Sequence, residues 1–310
     1  MKTLNEQINE VVKSQVSVTL KRRSLLELGL TQSDVNVLLQ AERRAANILA
    51  RERRAANAIA DTMTFGVEIE CYNAPRYSVE RAMYARNLRV DNITNYGSAH
   101  NGDSAMRYKL VPDGSISGEN PVECVTPILR GENGFNSLRE CCSALNEIGA
   151  SVNKSTGLHV HVGGDITTRQ YINTFANYAM LESLIDTFMA RSRRGNNAFY
   201  AQSISRFNFA DCLSIDEVCA LMHNNRYYKV NPCSWSRHCT IEFRQHQGST
   251  DFKKIKMWVR FCVKLVIWSK DNLLTSAPAS VNEIPFLNDT EKRFFNGRVA
   301  ELRRDMAEAA

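Results

Sequence analysis

The sequence has no run of eighteen apolar residues. The nearest approach, Phe261 to Trp268, is interrupted by Lys264, so no membrane-spanning helix is expected. The opening Met1-Lys2-Thr3-Leu4-Asn5-Glu6 carries an acid early and no apolar stretch, and is not read as a secretory signal. Paired cysteines are missing too. The nine cysteines are an odd number without C-x-x-C spacing. A disulfide framework is therefore not expected, and the reducing cytoplasm is the expected compartment. There is no G-x-x-x-x-G-K-[ST], no G-x-G-x-x-G at a strand end and no G-x-S-x-G. P-loop, dinucleotide-binding and serine-hydrolase chemistry lose their usual signatures. Nor is charge of one sign concentrated along the whole chain. The net charge is +6, and residues 1–60 supply most of it, ten Lys/Arg against six Asp/Glu giving +4. A nucleic-acid partner is not expected from so small a surplus, which solvated helices commonly carry.

Length and composition bound what remains. With 310 residues and 44% hydrophobic content, the chain can bury one large core or two ordinary ones. The first sixty residues hold no proline and a single glycine, Gly29. They read as a basic helical extension over 1–61 with a break at Gly29, after which Thr31-Gln32-Ser33-Asp34 offers capping residues for a second helix. Within that helix Glu42-Arg43-Arg44-Ala45-Ala46-Asn47 recurs as Glu52-Arg53-Arg54-Ala55-Ala56-Asn57. Ten residues is not the period of a helical-repeat architecture.

From Thr62 onward the style changes, and 62–310 reads as a single main domain. Apolar spacings of three and four place helices near 78–88, 134–148, 167–190, 214–223 and 251–270. Strands are expected at 64–71, 105–111, 122–126, 157–163 and 239–246, with polar stretches at 91–103 and 191–205 as candidate lids. Variable spacing and alternating faces favour an antiparallel α+β sheet.

Three strands carry polar groups on alternate residues: Glu68 and Glu70, His159 and His161, Glu242 and Arg244. Residues i and i+2 of a strand share a face, so each segment aims its polar pair one way and its apolar residues the other. Two buried carboxylates about 4 Å apart repel by roughly 4 kcal/mol at an effective dielectric near 20. They need a cation or a shared proton, unless both are simply solvated on an exposed strand. The His pair suits zinc, a phosphate, a magnesium position or a merely polar face. Arg244 suits a phosphate or carboxylate, or an ion pair with Glu242. Glu123 is a lone acid among apolar strand residues. Together, several acids, one or two histidines and an arginine suit a polyphosphate held by more than one Mg²⁺ ion.

The order of the motifs adds a resemblance. Phe65-Gly66-Val67-Glu68-Ile69-Glu70 comes first, then Asp113-Gly114-Ser115 and Val122-Glu123-Cys124-Val125-Thr126-Pro127. Ser155-Thr156-Gly157-Leu158-His159-Val160-His161-Val162 and Thr240-Ile241-Glu242-Phe243-Arg244 follow. This set resembles the amidoligase family of the carboxylate–amine ligase superfamily, alongside glutamine synthetase and glutamate–cysteine ligase. The likeness covers about residues 62–270. It implies a glutamine synthetase-like curved antiparallel sheet with helices on its outer face. It also implies ATP with two or three Mg²⁺ (or Mn²⁺) ions in the concave face, and amide formation through an acyl phosphate. Metal ligands would be Glu68, Glu70, Glu123, His159 and Glu242. His161, Arg193 and Arg244 would meet ATP or phosphate, and Arg244 and Glu123 would be catalytic, with Glu123, Asp113 and His246 as possible bases. Substrates would be a carboxylate and an amine, in a peptide, protein or cell-wall component. A guanidino or amine kinase of the same fold, and a catalytically silent module binding through the basic N-terminal helices, are the alternative readings.

Overall fold

The computed structural model describes residues 2–14, 16–57, 63–92 and 106–308, without the side chains of 45–57 and 306–308. Most of the expected lid at 91–103, and the expected domain boundary at 61/62, lie outside the described residues. The chain divides into two compact units, Met1–Ala58 and Ile59–Ala310.

The first unit is three helices, α1 (Leu4–Lys13), α2 (Val18–Glu27) and α3 (Gln32–Asn57). Thr3 and Glu6 form a reciprocal capping box on α1, and Ser17 caps α2, satisfying amide donors that have no intrahelical partner. The break after Lys13 is an addition to the one expected at Gly29, whose φ of +89° suits a residue without a Cβ. Leu25, Val35 and Leu39 form a small core, backed by Ile8, Val11, Val12 and Leu30. Lys21 is buried beside it, its Nζ donating to the Val12 carbonyl at 2.6 Å and pairing with Glu42.

The second unit is α+β. Its described residues form seven strands, β1 (Met63–Cys71), β2 (Val90–Asn92), β3 (Tyr108–Val111), β4 (Val122–Val125), β5 (Gly157–Gly164), β6 (Val230–Asn231) and β7 (Thr240–Gln247). They lie in the order β2-β3-β4-β1-β5-β7-β6. Every pairing is antiparallel except β2 with β3, at one edge, so the sheet is mixed rather than wholly antiparallel. Helices α4 (Arg76–Tyr84), α5 (Gly131–Glu147), α6 (Thr168–Thr187), α7 (Ile215–Leu221), α8 (Ser234–His238), α9 (Phe252–Trp268) and α10 (Asp289–Glu308) complete it.

Alternation on β1 decides which face is which. Met63, Phe65, Val67, Ile69 and Cys71 join the hydrophobic core, while Glu68 and Glu70 point the other way. Phe65 stacks on Phe135 of α5 with ring centroids 4.8 Å apart, and Phe243 of β7 meets Tyr178 of α6 at 5.7 Å. One face of the sheet is thus sealed by helices, and the polar positions of four strands are gathered on the other. A register shift between Leu158 and Val160 changes this alternation on β7: Val160 pairs with Phe243 but Leu158 with His246. The extra residue turns His246 onto the helix side, where its ring lies 5.7 Å from that of Trp258 on α9. The expectation that His246 is a possible base fails for this reason.

Candidate active site

Glu68 lies opposite His159, Glu70 opposite Glu123, and His161 opposite Glu242 in the strand registers. The middle of the sheet therefore carries a patch of acids and imidazoles drawn from β1, β4, β5 and β7. The Glu68 carboxylate meets His159 Nδ1 at 2.8 Å and His161 Nε2 at 3.2 Å. His159 Nε2 lies 3.5 Å from Glu70 Oε1. Glu242 accepts a hydrogen bond from Asn231 Nδ2 at 2.6 Å and pairs with Arg244. Glu70 accepts from the backbone N–H of Gly157 at 2.6 Å. The same glycine lets the acid and the imidazole come close, since a Cβ there would lie 3.0 Å from His159 Nε2 and 3.3 Å from Glu70 Oε2.

Among the described residues two groups of side chains are spaced for metal ions: Glu68, His161 and Glu242 in one, and Glu70, Asp113 and Glu123 in the other, with ligand atoms in each within 4.8 Å of one another. Asp113, expected only as a possible base, joins the second group from the Pro112-Asp113-Gly114-Ser115 turn. His161, expected to face the nucleotide, stands with the first group, and His159 sits between Glu68 and Glu70.

Electrostatics distinguishes the acids. Burial pushes Glu123 well above the usual carboxylate range, and its neighbours Glu68, Glu70 and Asp113 push it further. Burial also works against ionisation of Glu242, but Arg244 and His161 outweigh it and bring the group down to about 2. For Glu68 the same contest ends well below the ordinary value, with His161 and His159 prevailing over burial. His161 is raised because Glu242 and Glu68 outweigh the burial that would lower it. Its Nδ1 lies 2.9 Å from Thr240 Oγ1 and 3.4 Å from Ser234 Oγ, which orients the ring. Such a crowd of acids fits divalent cations, since hard cations take carboxylate oxygen and neutralise the repulsion that raises Glu123.

Cavities open on both sides of this patch, and both touch Glu68 and Glu123. One, of about 420 Å³, is bounded by Lys109, His161 and His238 and has an apolar wall that includes Val125, Pro127 and Ile128. The other, of about 460 Å³, is the basic cavity, where Lys154, Arg193, Arg226 and Arg244 face Glu68, Glu70, Asp113 and Glu123. Arg193 comes from a short 3₁₀ turn, Arg191–Arg193, and donates to the Thr156 carbonyl.

The segment 191–205 is pinned rather than free. Lys229, fully buried, pairs with Glu182 at 2.9 Å and Asp186 at 2.7 Å. Glu182 accepts the N–H groups of Ile204 and Ser205, and Asp186 that of Gly195. Gln245 Nε2 donates to Asp186 at 2.5 Å and to the Arg193 carbonyl at 3.2 Å. None of these supports is visible in the strand motifs. Thr240 at least opens a motif, whereas Lys229 and its partners Glu182 and Asp186 are separated by more than forty residues in the chain.

Comparison with known proteins follows the same residues. A family profile described as "Putative amidoligase enzyme" matches residues 61–266. No curated protein matches the chain. Among solved structures, one titled "Crystal structure of novel glutamine synthase homolog" aligns with 84% of this chain and 69% of its own, at 13% identity and a TM-score of 0.41. An overlap of that size decides nothing about fold or chemistry. The profile spans two thirds of the chain and every strand of the acid patch, and this chain belongs to the amidoligase family.

Proposed function

We propose that the protein is an ATP-dependent carbon–nitrogen ligase that activates a carboxylate as its acyl phosphate and joins it to an amine. The observation that carries this reading is the pair of metal-spaced groups, Glu68/His161/Glu242 and Glu70/Asp113/Glu123, lying between two separate cavities. A phosphoryl donor on one side and an acceptor on the other would meet over the acids.

Two or three divalent ions, Mg²⁺ or Mn²⁺, held by these carboxylates with His161 and the adjoining His159, would neutralise charge on the transferring phosphoryl group. The chain's own residues do the remainder. The apolar wall near Val125, Pro127 and Ile128 suits a nucleotide base, and Lys109 and His161 suit its phosphates. Arg244, kept charged by Glu242 and Glu68 despite its burial, faces the basic cavity and stabilises negative charge on the acceptor side. Arg193 lies beyond Glu70 on that side and meets phosphate or carboxylate oxygen. Glu123, the acid most ready to hold a proton, is the residue placed to take one from the attacking amine once cations lower its affinity for protons. Among the described residues no helix is long and apolar enough to cross a membrane.

Incubation with ATP, Mg²⁺ and a panel of carboxylic acids in hydroxylamine tests the reading. ADP release with a trapped hydroxamate is expected. A phosphorylated amine or guanidine without hydroxamate would make it a kinase, and no ADP with any acceptor would remove catalysis of this type.

A further inference from the structure

With its acids engaged by divalent ions, the basic cavity would hold more cations than one reacting carboxylate requires. Its lining brings Lys154, Arg193, Arg226 and Arg244 against Glu68, Glu70, Asp113 and Glu123. Arg244 is matched by Glu242. Arg193 is only 5% exposed, and its Nε has no hydrogen-bond partner. Its Nη2 is used on the Thr156 carbonyl. A buried guanidinium with an unsatisfied donor is costly, and an anionic ligand supplies the missing acceptor. The Nε of Arg226 is likewise buried and unpartnered.

The rim of the same cavity is aromatic. Phe199, Tyr200 and Tyr227 meet pairwise with ring centroids 5.1–5.6 Å apart, yet Phe199 is 66% exposed and Tyr200 46%. The cluster is held in place by backbone bonds, Gln202 N–H to the Tyr227 carbonyl at 2.8 Å and Lys229 N–H to the Gln202 carbonyl at 2.9 Å. Exposed rings on a pinned backbone form a contact surface that loses little freedom on binding. A compact acid would fill the cations and never reach these rings. A longer anion would use both.

We propose that the basic cavity receives the carboxylate donor as part of an acidic peptide, its anionic residue inside against Arg193 and Arg226 and its chain lying across the Phe199–Tyr200–Tyr227 rim. This deepens the ligase reading by naming its donor class, and rests on it for the word donor. The binding step itself needs no turnover.

The experiment is equilibrium binding by calorimetry to the full chain saturated with Mg²⁺ and a non-hydrolysable ATP analogue. The probes are acetylated hexapeptides ending in glutamate, the same peptides ending in glutamine amide, and free glutamate. The acidic peptides should bind at least tenfold more tightly than either comparison. Tyr200→Ala should weaken the acidic peptides about fivefold or more and free glutamate less than twofold, and Arg193→Gln should weaken both. Equal affinity for glutamate and acidic peptide would overturn the proposal, as would equal loss of both in Tyr200→Ala, or no peptide binding at all. Hydroxamate formed from small acids with no peptide binding would sink this inference and leave the ligase reading standing. Peptide binding without ADP release under any condition would do the reverse.

Discussion

Glu242 and His246 are four residues apart on one strand and have opposite fates. Glu242 is anionic because Arg244 and His161 outweigh its burial. His246 is neutral because burial, with Arg298, Arg193 and Lys254 nearby, brings it down to about 3, despite the Nδ1–H bond to the Gln247 carbonyl at 2.6 Å. The bulge between them is the physical reason, since it sends one side chain to the polar face and the other to the core. His246 carries a consequence for acid stability. Its folded value lies below its unfolded one, near 6.5, so between those values the unfolded chain binds a proton that the folded chain does not. Its contribution is therefore fully present above pH 6.5 and lost as pH falls toward 3, by up to a few kcal/mol. His246→Leu should flatten that part of the stability profile, read from urea midpoints at pH 7, 5.5 and 4. An unchanged slope in the variant would mean that the ring is protonated in the fold.

At the scale of elements, the readable part was periodicity. The two-residue alternation of β1, β5 and β7 places Glu68, Glu70, His159, His161, Glu242 and Arg244 on one face, and the spacing of Phe135, Leu138, Cys142 and Leu145 defines α5. Elements too short for a period escaped, β2 with three residues, β6 with two and α8 with five. Helix α10 escaped for another reason. A key buried anchor is an acid, Glu291, held by Arg260 at 2.8 Å and Lys264 at 2.7 Å, so no simple apolar stripe announces it. The Lys229 network escaped because a buried lysine looks like any other until its partners on α6 are known. That network joins β7, α6 and the segment 191–205, and so sets where Arg193 stands. Lys229→Met should leave buried Glu182 and half-buried Asp186 without their cation, at a cost of about 3–5 kcal/mol. It should also speed tryptic cleavage after Arg191, Arg193 or Arg194, mapped by mass spectrometry. Adding Glu182→Gln should recover part of the stability. Cleavage at the wild-type rate in the single variant would show that the segment is anchored by something else.

The whole molecule is organised around a conflict. The core and four strands bring Glu68, Glu70, Glu123, Asp113 and Glu242 together on one face, and the cost of that crowding appears as the raised Glu123. Folding supplies the apolar burial on the other face, which is indifferent to these charges. Cations and nucleotide should therefore act as missing parts of one assembly rather than as independent ligands. On the proposed reading Mg²⁺ would neutralise acids that otherwise repel ATP phosphates, and the phosphates would supply oxygen ligands that the protein side chains leave open. Binding to the folded state alone stabilises by RT ln(1 + [L]/Kd), about 2.7 kcal/mol at a hundredfold excess over Kd. For a chain of this size that corresponds to about 4–5 °C in melting temperature. Mg²⁺ with a non-hydrolysable ATP analogue should produce a rise of that order, larger than the sum of the rises with either alone, in a calorimetric scan of the full chain. Glu70→Gln removes one charge from the group with Asp113 and Glu123 while keeping an acceptor for the Gly157 N–H. It should raise the melting temperature of the ligand-free protein by relieving repulsion, and reduce the joint effect of metal and analogue. Equal stabilisation by the analogue in EDTA would mean that phosphate binding does not pass through these acids, and the metal-spaced groups would then be only a polar sheet face.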